Sequence, residues 1–308
     1  MKLTVAFITA RREPMLALLT DSLAAQLQPG DAVSLLAIDA FGRELGELAP
    51  TRLERFASAR ALQAKPNIWQ GPHRIAPRNL WATANARNTA LVYCQDDYIA
   101  FLDDRTTLGP TWLETVRRGE RERQAVLCGP IDKYLDGQNA VAWGPVSHDH
   151  RSGHAPGGKI NCGGSWCFGA NFCLPLEWAL VVNGCEEGCD PVGCEDYIFG
   201  TMLENHGFRL DFVPALGVQQ DRKGDAHVTE FPRIGKGPSG PTDKSQALTR
   251  RYRKLRHTSD ATPDLRELRA RVQRGEPLPV PDPSVDYRDW YDNERVASPS
   301  YGQPPPIG

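Results

Sequence analysis

The chain has 308 residues, of which 40% are hydrophobic and 24% are charged, and this composition excludes a collagen-like or wholly disordered protein. Its formal net charge of -2 at pH 7 excludes an overall basic surface that would by itself indicate nucleic-acid binding. No segment has the roughly 20 apolar residues of a membrane span. The apolar run at residues 3–10 leads into charged residues at 11–13 rather than a signal-peptide cleavage site, so we expect a cytoplasmic protein.

The first 130 residues alternate between strand-like and helix-like patterns. Strands are predicted at residues 2–9, 33–38, 98–102 and 125–128, and helices at 14–28, 80–94 and 110–123. Such alternation indicates an α/β fold, with a mostly parallel sheet and helices on both faces. After an irregular stretch at 132–168, the prediction continues with a short strand near residue 170, helices at 175–183 and 195–206, and a strand at 210–214.

The composition changes after about residue 236. Residues 244–274 contain ten Lys or Arg and three acidic residues, and residues 275–308 contain eight of the 25 prolines. Proline cannot donate to regular hydrogen-bond ladders. We therefore predict three parts: an α/β domain at 1–236, a basic and partly helical extension at 237–274, and a Pro-rich tail or strap at 275–308.

Six of the eight cysteines lie between residues 162 and 194, after three histidines at 148, 150 and 154. In a reducing compartment such a cluster is weighed as a zinc site rather than as disulfides. The cysteine spacings include no C-x2-C pair, and small buried thiols are common. We therefore favour buried thiols, with structural zinc as the alternative.

Three acidic residues end predicted strands, namely Asp39, Asp103 and Asp104. In open α/β sheets, ligands bind outside the carboxyl ends of parallel strands. Adjacent carboxylates there suit Mg²⁺ or Mn²⁺ together with substrate phosphates. The alternative is an acidic turn that caps the helix beginning at Pro110.

The order of the motifs favours the metal-site interpretation over the helix cap. Ala86-Arg87-Asn88 precedes a strand that closes in Asp103-Asp104, and this combination resembles the family 2 glycosyltransferases of the GT-A fold. The resemblance implies a GT-A-like, Rossmann-like mixed sheet. One departure is Arg105, because many members have a third acidic residue at that position.

The same resemblance implies roles for individual residues. Asp39 would contact the base of the nucleotide, Asp103 the ribose and Asp104 the metal. Thr9 and Arg11 would line the nucleotide pocket, which Arg87 would approach.

The second half resembles the catalytic region of β-1,4-galactosyltransferase-type enzymes. It carries Gly169-Ala170-Asn171-Phe172 and then Gly193-Cys194-Glu195-Asp196 before a helix. A sugar transfer needs a carboxylate that takes the acceptor proton, and the resemblance favours Asp196, with Glu195 next in line. The alternative is that these acids only complement the helix dipole.

Three further residues complete the predicted site. His227, 31 residues after Asp196, would by the same resemblance be a metal ligand. Trp166, flanked by glycines, is a candidate acceptor or lid residue because sugar faces stack on aromatic rings, and Asn171 is grouped with it.

The sequence therefore predicts an enzyme: an inverting glycosyltransferase dependent on Mn²⁺ or Mg²⁺, with a UDP-sugar as the favoured donor. The signature Gln-x-x-Arg-Trp of processive synthases is absent, which indicates transfer of one sugar. A nucleotidyltransferase is an alternative, although a Gly-rich loop does not follow the first strand. A non-catalytic, zinc-stabilised interaction module is another.

The acceptor is predicted from the basic extension, whose five most clustered charges are Arg250, Arg251, Arg253, Lys254 and Arg256. A basic run is often only a solvated helix face. The sharper hypothesis is DNA that carries a hydroxymethylated base, held through phosphate contacts. A small glycan, a lipid or a protein hydroxyl is the alternative acceptor.

Overall fold

A computed structural model describes residues 1–76, 79–134, 147–155, 158–190, 193–221, 236–237, 240–241, 259 and 262–284. Its strands are β1 (Lys2–Thr9), β2 (Ala32–Asp39), β3 (Ser58–Gln63), β4 (Tyr98–Asp103), β5 (Thr106–Leu108), β6 (Val126–Cys128), β7 (Ile131–Tyr134), β8 (Ile160–Cys162), β9 (Asn171–Pro175), β10 (Leu210–Phe212), β11 (Val218–Asp221), β12 (Lys236–Gly237) and β13 (Gly240–Pro241). Its helices are α1 (Leu16–Ala24), α2 (Thr83–Tyr93), α3 (Trp112–Glu122), α4 (Leu176–Val181), α5 (Glu195–Asn205) and α6 (Leu265–Gln273).

The main sheet has eight strands in the order β3-β2-β1-β4-β9-β6-β10-β8. The four strands from β3 to β4 are parallel, whereas β9 runs antiparallel to both of its neighbours, β4 and β6. A smaller sheet of β5, β11 and β7 forms beside it. The predicted α/β fold, with a mostly parallel mixed sheet, is confirmed.

Both faces of the sheet are covered, and each face has its own apolar core. In β4, Ile99 and Phe101 pack toward the core that contains α2, α4, α5 and α6. The alternate residues Tyr98, Ala100 and Leu102 pack toward the core that contains α1 and α3. Strands that are buried on both sides read as continuous apolar runs, which is why the sequence pattern located them.

Helix α2 is buried almost all round and takes its N-terminal cap from a distant residue. Its own N-cap, Ala82, offers no side-chain hydrogen bond. Instead, the carboxylate of Asp190 accepts from the backbone N–H of Ala84 at 2.6 Å and of Asn85 at 3.1 Å. This contact ties the loop before α5 to the start of α2.

The opposite end of α2 is closed by the C-terminal helix. Arg269 of α6 donates through Nη1 to the carbonyl oxygens of Leu91 at 2.5 Å and Cys94 at 2.8 Å. Helix α6 begins at its N-cap Asp264, whose side chain accepts from the backbone N–H of Arg266 and Glu267. Part of the predicted basic extension is therefore a helix that packs on the α/β domain.

Several strands were not predicted, and the reasons differ. Strand β3 has the sequence Ser-Ala-Arg-Ala-Leu-Gln, which contains no apolar run, and it forms because β2 provides a ladder for it. Strands β7 and β8 lie at least in part within the stretch predicted as irregular, and they are only four and three residues long. Their partners lie far away along the chain, where a local pattern cannot show them.

All eight cysteines lie in the described residues, none of them in a disulfide there, and six of them are buried. Among the described residues, no group of three or more His, Cys, Asp or Glu side chains is placed to hold a metal ion. No helix of the described part is both long enough and apolar enough to cross a membrane.

Candidate functional site

The candidate site lies where the carboxyl ends of the central parallel strands meet the start of α5. Its organising residue is Arg87 of α2, which is 2% exposed. Its Nη1 donates to Oε1 of Glu195 at 2.7 Å, and its Nη2 donates to Oδ1 of Asp103 at 3.3 Å. One guanidinium therefore joins the acidic pair after β4 to the acidic pair that opens α5.

Burial works against the charged form of Arg87, but the carboxylates of Asp103 and Glu195 outweigh it and raise the pKa of the guanidinium. The neighbouring motif residue Asn88 has a matching role. Its Nδ2 donates to the carbonyl oxygen of Cys185 at 2.8 Å, and its Oδ1 accepts from the backbone N–H of the same residue at 2.8 Å. The Arg-Asn pair thus holds the second half of the domain against α2.

Gly169 allows Asp196 to lie close to this centre. A Cβ on Gly169 would come within 2.0 Å of Nη2 of Arg87, so any larger residue here would displace the guanidinium. The backbone N–H of Gly169 donates to Oδ2 of Asp196 at 2.9 Å, and that of Tyr197 donates to Oδ1 at 2.8 Å. The Gly-rich loop and the start of α5 are therefore fixed to each other.

The environment of Asp196 suits a general base. Burial raises the pKa of its carboxyl, and the charge of the adjacent Glu195 raises it further, against the opposing effect of Arg87. A base works best when its pKa is near the working pH. Glu195 is more deeply buried and is paired with Arg87, so of the two acids Asp196 is the one better suited to take a proton.

Asp104 differs from Asp103 although the two are adjacent. The side chain of Asp103 is 36% exposed, whereas Asp104 is 4% exposed. Oδ2 of Asp104 accepts from the hydroxyl of Thr9 at 2.5 Å, and Oδ1 accepts from the backbone N–H of Met15 at 2.9 Å and of Arg105 at 2.6 Å. Burial raises the pKa of this carboxyl.

These contacts test whether the divalent metal implied by the family resemblance fits at Asp104. A hard cation needs carboxylate oxygens that face it. Both oxygens of Asp104 instead face donors of the protein, and Nε of Arg11 lies 3.9 Å from Oδ2. The second predicted ligand, His227, lies outside the described residues. Asp104 therefore does not fit the metal-ligand role, and Asp103 is the member of the pair open to solvent.

The remaining predicted nucleotide contacts lie at the same edge of the sheet. The hydroxyl of Thr9 also accepts from the backbone N–H of Arg11 at 3.2 Å. Asp39 is fully buried and is covered by Arg43, which donates to it from its backbone N–H at 2.9 Å and from Nη2 at 2.7 Å. Any contact between Asp39 and a nucleotide would have to pass by the Arg43 side chain.

The two predicted acceptor residues lie further into the fold than the sequence suggested. The ring of Trp166 packs edge-on against Phe212, with ring centroids 5.3 Å apart. Asn171 is 1% exposed in β9, where its Oδ1 accepts from Nε1 of Trp112 at 3.1 Å and its Nδ2 donates to the carbonyl oxygens of Pro130 and Leu216. These bonds hold β9 to two neighbouring loops.

Sequence reasoning missed the roles of Arg43, Arg105 and Asp190. The partner of Arg43 is only four residues away, so its pairing with Asp39 could have been considered. Asp190 caps a helix more than one hundred residues upstream, for which no local signal exists. Arg105 was noted only as a departure from the family pattern.

A comparison with sequence families supports the resemblance. Residues 59–171 match the profile of the family described as Glycosyl transferase family 2, and this match covers a little over a third of the chain. The matched range contains Arg87, Asp103 and Asp104. A search among curated proteins finds no significant match.

Solved structures support the fold. TarS from S. aureus (residues 1-349) in complex with UDP-GlcNAc aligns with a TM-score of 0.52 at 14% identity, over 82% of this chain and 65% of that one. GalNAc-T7 with UDP, GalNAc and Mn²⁺ aligns with a TM-score of 0.51 at 11% identity, over 90% of this chain and 58% of that one. The chain thus spans less than two thirds of the length of either.

These comparisons confirm the predicted GT-A-like fold and the resemblance to family 2 glycosyltransferases. The finer resemblance of the second half to β-1,4-galactosyltransferase-type enzymes stays a prediction. The basic residues 250–256 lie outside the described part of the chain, and so does His227.

Proposed function

We propose that this chain is an inverting glycosyltransferase that moves one sugar from a nucleotide-diphosphate sugar to an acceptor hydroxyl. The observation that carries the proposal is the bridge made by Arg87 between Asp103 and Glu195. This bridge joins the acidic end of β4, within the family match, to the residue that precedes Asp196, and burial raises the pKa of the Asp196 carboxyl. A UDP-sugar is the favoured donor, since the similar structures were solved with UDP or UDP-GlcNAc.

In this proposal the donor binds along the carboxyl ends of β1, β2 and β4. Thr9 and Arg11 line the nucleotide pocket, and Asp103 presents an open carboxylate to the ribose. The deeper carboxylates shape this pocket through Arg43 and the backbone of the loop after β1. By pairing with Asp103 and with Glu195, Arg87 fixes the nucleotide pocket relative to the acceptor side.

The transfer itself is a single displacement. Asp196 accepts the proton of the acceptor hydroxyl while the hydroxyl oxygen attacks the anomeric carbon. The bond from that carbon to the diphosphate oxygen breaks, and its electron pair leaves with the diphosphate. Because attack comes from the face opposite the leaving group, the anomeric configuration inverts.

No step of this mechanism is assigned to a divalent metal, because Asp104 does not fit the ligand role. GalNAc-T7 was solved with Mn²⁺, so the activity test compares turnover with and without Mn²⁺.

The test is release of UDP from a panel of UDP-sugars, with and without Mn²⁺, combined with nuclear magnetic resonance of the product to read its anomeric configuration. We expect transfer with inversion from at least one donor. The matched variants are D196N and D97N, because Asp97 is an exposed aspartate at the amino end of β4. Retention of configuration, or equal turnover in D196N and D97N, would contradict the proposal.

For the acceptor we propose DNA that carries a hydroxymethylated base, on the strength of the basic residues 250–256 alone. Such a base offers a primary hydroxyl, and it would have to leave the stack to reach Asp196. Five phosphate contacts predict a log-affinity against log-salt slope of about -4 to -5. A flat slope, or a slope that survives replacement of the five basic residues by alanine, would favour a small glycan, lipid or protein acceptor.

A further inference from the structure

Arg105 is a buried arginine of the candidate site without a counter-charge among the described residues. It follows Asp104 in the turn between β4 and β5, and only 9% of its surface is exposed. Its Nε and Nη1 atoms are buried and have no hydrogen-bond partner. A buried guanidinium is stable only when its donors are satisfied, so these atoms call for an anion from outside the described chain.

Other arginines at this edge of the sheet already have such a partner. Nη2 of Arg43 lies 2.7 Å from Oδ1 of Asp39, and Nη1 of Arg87 lies 2.7 Å from Oε1 of Glu195. Both therefore serve the internal structure of the site. Nε of Arg87 is also buried without a hydrogen-bond partner, but of these three arginines Arg105 is the one without an ion pair among the described residues.

The backbone of Arg105 is held firmly in an unfavourable conformation. Its φ angle is +62°, in the left-handed region that side chains other than glycine seldom adopt. Its N–H donates to Oδ1 of Asp104 at 2.6 Å, and its carbonyl oxygen accepts from the backbone N–H of Asp221 at 3.0 Å. Strain of this kind persists where the surroundings fix it and clusters at ligand sites.

The position of Arg105 identifies the class of anion. It lies at the carboxyl end of the central strand β4, and Asp104 connects it to Thr9 at the end of β1. Ligands of open α/β sheets bind at this edge. A guanidinium presents a fork of donors that matches the oxygens of a phosphate group.

We infer that Arg105 binds the diphosphate of the donor and supplies the positive charge that the family resemblance assigns to a metal ion. This inference rests on the proposed function. When the bond between the anomeric carbon and the diphosphate oxygen breaks, the electron pair moves onto the diphosphate. The guanidinium remains protonated and stabilises that growing negative charge without transferring a proton.

The experiment is titration calorimetry of the full chain with UDP and with uridine, first in EDTA and then in Mn²⁺. The variants are R105Q and the matched control R121Q, since Arg121 is an exposed residue of α3. We expect the wild type to bind UDP in EDTA, with Mn²⁺ changing the affinity less than about threefold. We expect R105Q to weaken UDP by roughly 10- to 100-fold, the worth of a charged hydrogen bond, and to leave uridine unchanged.

A thermal melt separates ligand binding from a purely structural role. R105Q removes an unpaired buried charge, so its melting temperature should equal or exceed that of the wild type. A lower melting temperature, UDP binding that needs Mn²⁺, or unchanged UDP binding in R105Q overturns the inference and leaves the proposed function standing. If the folded wild type binds no nucleotide diphosphate in either condition, the proposed function fails as well.

Discussion

The site contains two pairs of adjacent acidic residues, and the fold gives the two pairs different surroundings. Asp103 ends strand β4 and Asp104 follows it, so their side chains point to opposite sides: Asp103 reaches solvent and Asp104 turns back under the loop after β1. Glu195-Asp196 opens a helix, and its side chains share one cation, Arg87, which pairs with Glu195 directly. Asp104 accepts from three donors of the protein, whereas Asp196 accepts from two backbone N–H groups and lies beside the negative charge of Glu195.

This difference separates binding from proton transfer. Of the first pair, Asp104 is held by donors of the protein and Asp103 stays open to solvent, which suits a residue that contacts a bound nucleotide. At the start of α5, two carboxylates compete for one guanidinium, and the pKa of Asp196 is raised by burial and by Glu195. Adjacent acids of the same type thus acquire different chemistry from their surroundings.

The variant D196N should separate nucleotide binding from proton transfer with the largest effect. This change removes the base but keeps the size of the side chain, so turnover should fall by ~10²–10⁴, the usual contribution of a positioned base. Calorimetry should show donor affinity within about twofold of wild type, because the donor lies along the other acidic pair. A loss of donor binding as large as the loss of turnover would show that binding and proton transfer are not separated between the two acidic pairs.

R87M breaks the link between the pairs. It leaves the carboxylate of Glu195 buried without its cation, which should lower the free energy of unfolding by ~3–5 kcal/mol. Urea denaturation measures this, with R121M on the exposed face of α3 as a control that should stay within about 0.5 kcal/mol of wild type. The double variant R87M/E195Q should recover part of the loss, and strict additivity would argue against a direct pair.

G169A tests the close approach that brings the pairs together. The added methyl group would overlap Arg87 and force the guanidinium to move, at a cost of ~1–3 kcal/mol in unfolding free energy. G46A is the control, because a Cβ on Gly46 meets no atom within 4 Å. If both variants unfold at the same urea concentration, the guanidinium has more room than the structure shows.

The pH dependence of turnover gives the smallest effect. Asp196 must be deprotonated to act, and its pKa is raised, so the acid limb of the kcat profile should lie above the ordinary aspartate value of about 3.9. E195Q removes the neighbouring negative charge and should move that limb to lower pH. A limb that stays in place in E195Q would mean that another group controls it.

Much of the fold could be predicted because its central strands are buried on both faces. Strand β1 was predicted with its observed bounds, and β4 differs by a single residue, Asp103. The motifs around Arg87 and Asp103 also identified residues that the structure brings together. These features are local, so the sequence displays them directly.

The rest depended on contacts between distant parts of the chain. Thr9 and Met15, which lie about 90 residues away along the chain, donate hydrogen bonds to the two carboxylate oxygens of Asp104. The sequence groups Asn171 with Trp166 as an acceptor or lid residue, but the Asn171 amide donates to the carbonyl oxygens of Pro130 and Leu216. Local patterns also gave no reason to expect Asp190 to cap α2.

The packing of α6 against α2 has a consequence for how the protein is made. Helix α2 ends at Tyr93, yet the arginine that closes its last carbonyl groups is Arg269. A ribosome adds ~5–20 residues per second, so α2 waits roughly ten to thirty seconds for its covering helix. During synthesis the face of α2 that α6 covers therefore stays open until the C-terminal helix emerges.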